Sequence, residues 1–372
     1  MQVDMHYYGT YAMARAAGLN EEACQIIAYA SQYVDDNAFD DEVDFEDGAR
    51  IDSESTAHHP VNFKNVGKLD PQDQRRVWVP FHFFPGNEGD EYTQQLKCTK
   101  NSLIAQEMVS NHLSCCTSEF GLHLAGITAH VYADTFSHYG FSGVSSRGNK
   151  VHQESFELDE NLEPEIKDYI LSKAQGFFDS RYELFPNIKK SLAELFEQSQ
   201  ANIAEFGGAL GHGSVATYPD RPYLSWRFNY EDEGRTDSGW RHNQETFLEA
   251  CQELHCFFSH IAKERPEYAS AKSLSFSDIE PRVKEILAVQ KPKQGRIDAW
   301  QCAARAGAFG EKTEIPPYSS QVWSNEWEAL KLPSTKSDQA NKANIYKFYR
   351  AAAYHRVYVL RDLLPKHGLV VN

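Results

Sequence analysis

His130-Val-Tyr-Ala-Asp134-Thr-Phe-Ser-His138 is the stretch from which the chain is best read. In an α-helix each residue turns about 100°, so positions four apart stack on one face. His130, Asp134 and His138 therefore share a stripe, and His123, seven residues before His130, falls on it as well. A rise of about 1.5 Å per residue sets His130 and His138 roughly 12 Å apart along the axis. That is too far for one ion held by both. It suits two ions with Asp134 as the bridge between them. The flanking Gly126-Ile-Thr-Ala and Val131-Tyr-Ala are small or apolar, so the helix reads as buried. Ionisable groups on a buried face need partners, and imidazole and carboxylate are good zinc ligands. The plainer alternative is a polar stripe satisfied by internal hydrogen bonds.

Outward from this helix the chain reads as mostly helical. Asn20 is placed to cap a helix, Glu21 and Glu22 suit its positive end, and Ala23, Ile26, Ile27, Ala30 and Val34 follow at helical spacing toward Asp35. Residues 92–139 read as one long helix or two abutting ones. Further helices are expected over 161–178, 186–206 with Pro186 at the start, 242–264, 277–290 and 338–364. Residues 37–91 look irregular, with Val61-Asn-Phe and Val77-Trp-Val-Pro-Phe-His-Phe-Phe as short extended pieces. Residues 308–338 look loop-like apart from a turn near Trp323 to Leu332. Residues 266–275 and 291–296 are candidate linkers. The expected class is all-α, a multi-helical core over 1–265 with a C-terminal helical extension, 266–372, packed on it. In that extension Trp300, Trp323 and Trp327 stand out, and Ile345, Phe348, Ala352 and Val359 are candidate buried positions.

Composition limits the partners. The 372 residues carry 37 Lys and Arg against 53 Asp and Glu, a formal charge of −16. So acidic a chain lacks the basic face that duplex nucleic acid or an anionic membrane requires. No apolar run is long enough for a transmembrane helix. The N-terminus has neither a basic nor an apolar signal region, and the seven cysteines are scattered, so a cytoplasmic protein with reduced thiols is expected. Cys251, His255 and Cys256 on one helix, and Cys115-Cys116, read as core packing. Motifs of other enzyme classes are absent: there is no HExxH, P-loop, CxxC or GxGxxG.

Three places outside the central helix offer further ligands: His6, in Asp4-Met-His6-Tyr-Tyr; Asp35-Asp36, closing the Asn20-capped helix; and His82, in Val79-Pro-Phe-His82-Phe-Phe-Pro. Together with His130-x-x-x-Asp134 and His138, these points resemble the zinc-dependent phospholipase C and S1/P1 nuclease superfamily. Ser31-Gln-Tyr-Val-Asp35 is similar to the family's helix end, and His82-Phe-Phe-Pro to its His-Phe-aromatic segment. The match covers ordered ligand points over about the first 220 residues. An Asp-x-His-Tyr start with an Asp-Thr-Phe-Ser-His helix also marks a smaller, nearer group.

The resemblance implies an all-α fold holding two or three zinc ions in a cleft. It implies metal ligands at His6, Asp35, His82, His130, Asp134 and His138, completed by a later His–acid pair. For that pair His212 with Asp220 is preferred, since Gly211 and Gly213 let the backbone approach an ion; His152 with Glu154 is the alternative. The chain departs from the family at two points. His138 follows Asp134 by four residues where six are usual. Met1 is not the family's metal-binding N-terminal Trp, and Asp4 is the expected substitute.

The expected activity is that of a zinc-dependent phosphoesterase with a metal-activated water, Asp35 orienting or deprotonating it. Arg221 and Arg227 would hold the substrate, a small phosphoester or a phospholipid headgroup. Those arginines, with Arg235, equally suit surface ion pairs with Glu231 to Glu233. Two rival expectations stand beside this one. The same ligands would serve a metal hydrolase of another bond, or would staple a helical scaffold, without catalysis, that binds a protein partner or a second copy through residues after about 265.

Overall fold

The computed structural model describes residues 1–57, 74–183, 211–231 and 237–371. The expected helix over 186–206, Val61-Asn-Phe, the first part of the glycine-rich loop and Arg235 lie outside them. A π-helical turn, Asp4–Gly9, runs into α1, Thr10–Ala16. Gly18, at φ +98°, ends that run in a backbone conformation open to glycine at little cost. Asn20 then starts α2, Glu21–Asp36, its side chain accepting the Ala23 N–H at 2.9 Å. A two-stranded antiparallel sheet follows, β1 (Glu42–Asp44) against β2 (Arg50–Asp52).

The segment Gln74–His82 is π-helical, not extended. Its β-branched and aromatic residues imitate a strand in sequence. Pro80 supplies no N–H and crowds the carbonyl four residues back, and the wider turn relieves this. Phe83 N–H accordingly donates to the Trp78 carbonyl, five residues earlier. Residues 92–139 divide into α3 (Tyr92–Gln95), α4 (Leu103–Ser114) and α5 (Gly121–His138). Beyond α5 come β3 (Glu157–Leu158), α6 (Pro164–Glu183), β4 (Ser225–Arg227) and β5 (Arg241–His242). These strands form an antiparallel sheet in the order β3-β4-β5.

Helix α7 (Asn243–Glu264) and α8 (Phe276–Leu287) lie close to their expected bounds. On α8, Ile279, Val283, Ile286 and Leu287 form the buried stripe of an amphipathic helix. Helix α9 (Lys293–Ala306) begins inside the expected linker 291–296, and α10 (Gln321–Leu330) is a fuller helix where a turn near Trp323 to Leu332 was expected. The chain then forms α11 (Ser337–Ala340) and α12 (Asn344–Val357), a π-helical turn Tyr358–Leu363, and α13 (Leu364–Lys366). The architecture of the described residues is mostly helical with two small antiparallel sheets. Among the described residues no helix is long and apolar enough to cross a membrane.

Helix α5 is buried along its whole length, with α2, α4, α7 and α12 packed around it. The α2–α5 contact is the most extensive of these, and Gly126 lets the two backbones approach. A Cβ at that position would lie 2.4 Å from the Ile27 carbonyl oxygen and 2.5 Å from the Ala30 Cβ. The main hydrophobic core takes residues from both sides of position 265, among them Tyr33, Phe258, Trp300, Trp323 and Phe348. The expected buried positions Ile345, Phe348, Ala352 and Val359 all lie in it. A second, smaller core gathers Phe83, Phe141, Ile170, Leu224, Trp226 and Tyr230.

Candidate metal centre

The polar stripe of α5 faces inward, and Asp134 is its hub. Oδ1 of Asp134 lies 2.7 Å from the Met1 nitrogen and 3.2 Å from His6 Nε2. Oδ2 lies 3.3 Å from His130 Nε2, 3.4 Å from His138 Nδ1 and 3.8 Å from His82 Nδ1. Three chain segments, the N-terminal one, Gln74–His82 and α5 itself, thus meet at one carboxylate that is 1% exposed.

Among the described residues three groups of side chains could hold a metal ion: His6, His130 and Asp134; Asp35, His82 and His130; and His138, His212 and Asp220. Within each, one ligand atom per residue lies within 4.8 Å of the others. His130 is common to the first two groups. The third is built across the fold, with His138 Nε2 3.4 Å and His212 Nε2 3.9 Å from Asp220 Oδ1. His138 therefore presents its open nitrogen to Asp220, while Asp134 serves His6 and His130.

The histidines are held in a common way. His130 Nδ1 and the Ser31 carbonyl are 2.8 Å apart, His82 Nε2 and the Thr56 carbonyl 2.8 Å, His138 Nδ1 and the His82 carbonyl 2.8 Å, and His212 Nδ1 and the Ala216 carbonyl 2.7 Å. A carbonyl only accepts, so the ring nitrogen facing it carries the proton. In each ring the opposite nitrogen faces Asp134, Asp35 or Asp220, and those of His82 and His130 also lie 3.3 Å from each other. The carbonyl contact is the backing that metal-ligating imidazoles characteristically receive. His6 differs. It stacks on His130 with ring centroids 3.9 Å apart, and both of its ring nitrogens are buried without a hydrogen-bond partner.

Electrostatics follow from the crowding. Burial alone would raise Asp134, but His138, the Met1 amine, His130 and His6 outweigh it and hold the carboxyl well below its ordinary range. Burial would likewise raise Asp220, and the Met1 amine, His212 and His138 bring it well below. Burial pushes His6 and His212 down to about 4 each, with His130 adding to the effect at His6. His6 and His212 are thereby kept neutral beside ionised carboxylates, the protonation states a cation requires, whereas at His82 burial is outweighed by the neighbouring Asp134 and Asp35, which shift it up.

A cavity of about 290 Å³ opens onto these groups, with Trp78 and Ala57 in its wall beside Asp35, His82, His212 and Asp220. Asp35 is the most open of the acids, its side chain 31% exposed where that of Asp134 is 2%.

Other expected residues lie elsewhere. Asp4 is not a ligand: Arg296 grips it in a buried pair, Nε to Oδ2 at 2.7 Å and Nη2 to Oδ1 at 3.0 Å, and the Met1 nitrogen stands at the centre instead. His152 and Glu154 are exposed and face each other at 3.8 Å, outside all three groups. Arg221 donates to Thr217 and lies over Tyr169. Arg227 pairs with Glu157 at 2.6 Å. Neither arginine lines the cavity. His123 turns from the stripe to Asn344 and Trp323. Cys251 is buried in the main core and His255 bonds the Leu274 carbonyl, as core packing requires, but Cys256, expected with them, is exposed because it lies on the outer face of α7. Trp78 carries no motif that sequence reasoning could have used, and the Met1 nitrogen is hidden because backbone atoms leave no mark in composition.

A family model matches residues 1–363, described as a family of unknown function, DUF6765. The chain belongs to this family. No curated protein and no solved structure matches it. The family's model spans the central helix, the three ligand groups and nearly all of the C-terminal helices that close over them.

Proposed function

We propose that this chain is a zinc-dependent hydrolase of the phosphoesterase type, similar in kind to phospholipase C, acting on a small phosphodiester or a phospholipid headgroup ester. The observation that carries this reading is the set of four carbonyl-anchored imidazoles aimed at Asp134, Asp35 and Asp220 beside an open cavity. Unpartnered, buried His6 nitrogens fit the same reading, since a buried polar atom without a partner is costly unless something binds it. Zinc ions held there would supply Lewis acidity and bring a bound water to a pKa of about 7. Asp35, the acid most open to the cavity, is placed to orient that water and to accept its proton. Asp134 and Asp220 keep their negative charge, which offsets the charge of the ions. Trp78 and Ala57 shield one wall from bulk water. Arg221 and Arg227 lie outside the cavity, so neither would clamp phosphate. A volume near the low end of small-molecule sites, about 300–1,000 Å³, favours a compact ester head over a polymer.

A second reading, a metal-stapled scaffold, draws on the near-complete burial of His6, His130 and Asp134. Elemental analysis of wild-type protein and Asp134→Ala, followed by a phosphodiester and lipid-headgroup screen, separates the two. Two or three zinc ions per chain, at least one lost in the variant, together with phosphate-ester turnover, are expected. Bound zinc with no turnover on any ester would favour the scaffold. Wild-type protein unable to take up metal would overturn both.

A further inference from the structure

Three ligand-bearing segments of the candidate centre are each held by a side chain from the C-terminal third of the chain. Arg296 of α9 is 1% exposed and binds the N-terminal segment three times: twice to Asp4, and through Nη2 to Gln2 Oε1 at 2.6 Å. Gln2 and Asp4 lie between the two groups that reach Asp134, the Met1 nitrogen and His6. Tyr318 donates its hydroxyl to Asp36 Oδ2 at 2.7 Å, next to Asp35. His355 of α12 faces the Pro80 carbonyl at 2.8 Å, two residues before His82. Its neighbour Arg356 donates to the carbonyls of Arg76 and Ser55, the latter beside the Thr56 carbonyl that anchors His82.

We propose that Arg296 is a positioning residue for metal binding, the Arg296–Asp4 clamp fixing His6 against Asp134, so that residues after 265 serve to set the ligand geometry. The inference rests on the metal-centre reading above. The geometry supports a directional role over simple packing. A guanidinium bound side-on to a carboxylate fixes both distance and plane. The segment it fixes ends at His6, whose ring has no backbone carbonyl to hold it. The other four imidazoles of the centre each have a backbone carbonyl for this purpose; His6 has the stack on His130, the approach of Nε2 to Asp134 at 3.2 Å and the clamp two residues away.

Breaking a buried pair at one partner strands a charge and destabilises the protein, whereas replacing both with neutral groups of similar shape is often tolerated. The test therefore uses the full chain with both partners changed, Asp4→Asn together with Arg296→Met. Zinc is titrated calorimetrically into metal-stripped wild type and variant, and the Tm of each metal-free protein is recorded. The expected result is a Tm close to that of wild type with one zinc site weakened by about 10–100-fold, the usual effect of removing a group that supports a ligand, and the other sites unchanged. A variant of wild-type Tm that binds every ion as tightly as wild type overturns the clamp while leaving the metal centre in place. Wild type that takes up no zinc overturns the centre and the clamp together. Should the double variant not fold, Arg296→Lys carries the same titration: it keeps the charge without the fork, and undiminished affinity overturns the proposal.

Discussion

Replacing Gly126 with alanine tests the joint between α2 and α5. In an exposed helix this change stabilises by about 1 kcal/mol, because alanine is the better helix former. Here the added Cβ would stand 2.4 Å from the Ile27 oxygen, 2.5 Å from the Ala30 Cβ and 3.0 Å from the Ser31 nitrogen. Carbon atoms in contact prefer roughly 3.5–4.0 Å, so α2 has to retreat by about 1 Å. Overpacking of this kind costs about 1–3 kcal/mol. The same retreat stretches the 2.8 Å contact between His130 Nδ1 and the Ser31 carbonyl, and a buried hydrogen bond left unmade costs about 1–3 kcal/mol more. The two costs outweigh the propensity gain, for a net loss of about 1–5 kcal/mol. Asp35 lies one turn beyond Ser31 on α2 and would move away from His82 and His130, now 3.7 and 3.8 Å distant. Denaturant unfolding of metal-stripped Gly126→Ala beside wild type reads the stability term, and zinc titration reads the Asp35–His82–His130 group. A variant as stable as wild type or more so would refute the close approach, since helix propensity would then be the only effect left.

Acid should unfold the protein before its carboxylates titrate. Burial pushes His123 down to about 3 and His355 to about 4, and holds His112 well below its ordinary value. Because the unfolded chain binds these protons near pH 6.5 and the folded one does not, stability is full above that value. It falls as pH drops toward 4, by about 1.4 kcal/mol per pH unit for each histidine. Urea unfolding of metal-stripped protein at pH 7 and pH 5 should show this decline, and equal stability at the two values would rule the mechanism out. Asn20→Ala removes the cap of α2 and should cost about 0.5–2 kcal/mol; the same urea assay at pH 7 checks it, a loss below 0.3 kcal/mol (~) speaking against the cap.

Much of the centre was legible because helices obey a fixed period. One turn of spacing placed His130, Asp134 and His138 on a face, and Asn20 with its acidic neighbours marked the start of α2. The same rule overreached at His123, whose position on the stripe is real but whose partner, Asn344, comes from a distant helix. Asp4 failed as a ligand for a related reason. Its partner Arg296 is 292 positions away, and nothing local announces that pairing. The segment Gln74–His82 was misread because strand-forming side chains dominate it while Pro80 and the contacts of its carbonyl decide its shape. Helices α9 and α10 were hidden by composition. Gly295 and a charged first turn weaken the signal of α9, and α10 is short and takes its stability from Trp323 and Trp327 in the core.

The two hydrophobic cores give the candidate centre a mechanical meaning. His6, His130 and Asp134 stand on elements of the larger core, whereas His212 and Asp220 come from the stretch that builds the smaller one, and Phe83 of that smaller core stacks on His138 at 4.8 Å. The Met1 amine stands between Asp134 and Asp220, 2.7 Å from one and 3.3 Å from the other, and a cation held by His138, His212 and Asp220 would add a rivet through both cores. Loaded protein would then melt as one cooperative body. Stripped protein, which lacks that rivet, would let the smaller core loosen first, so that the order of unfolding is set by an ion and not by the amount of buried oil on either side.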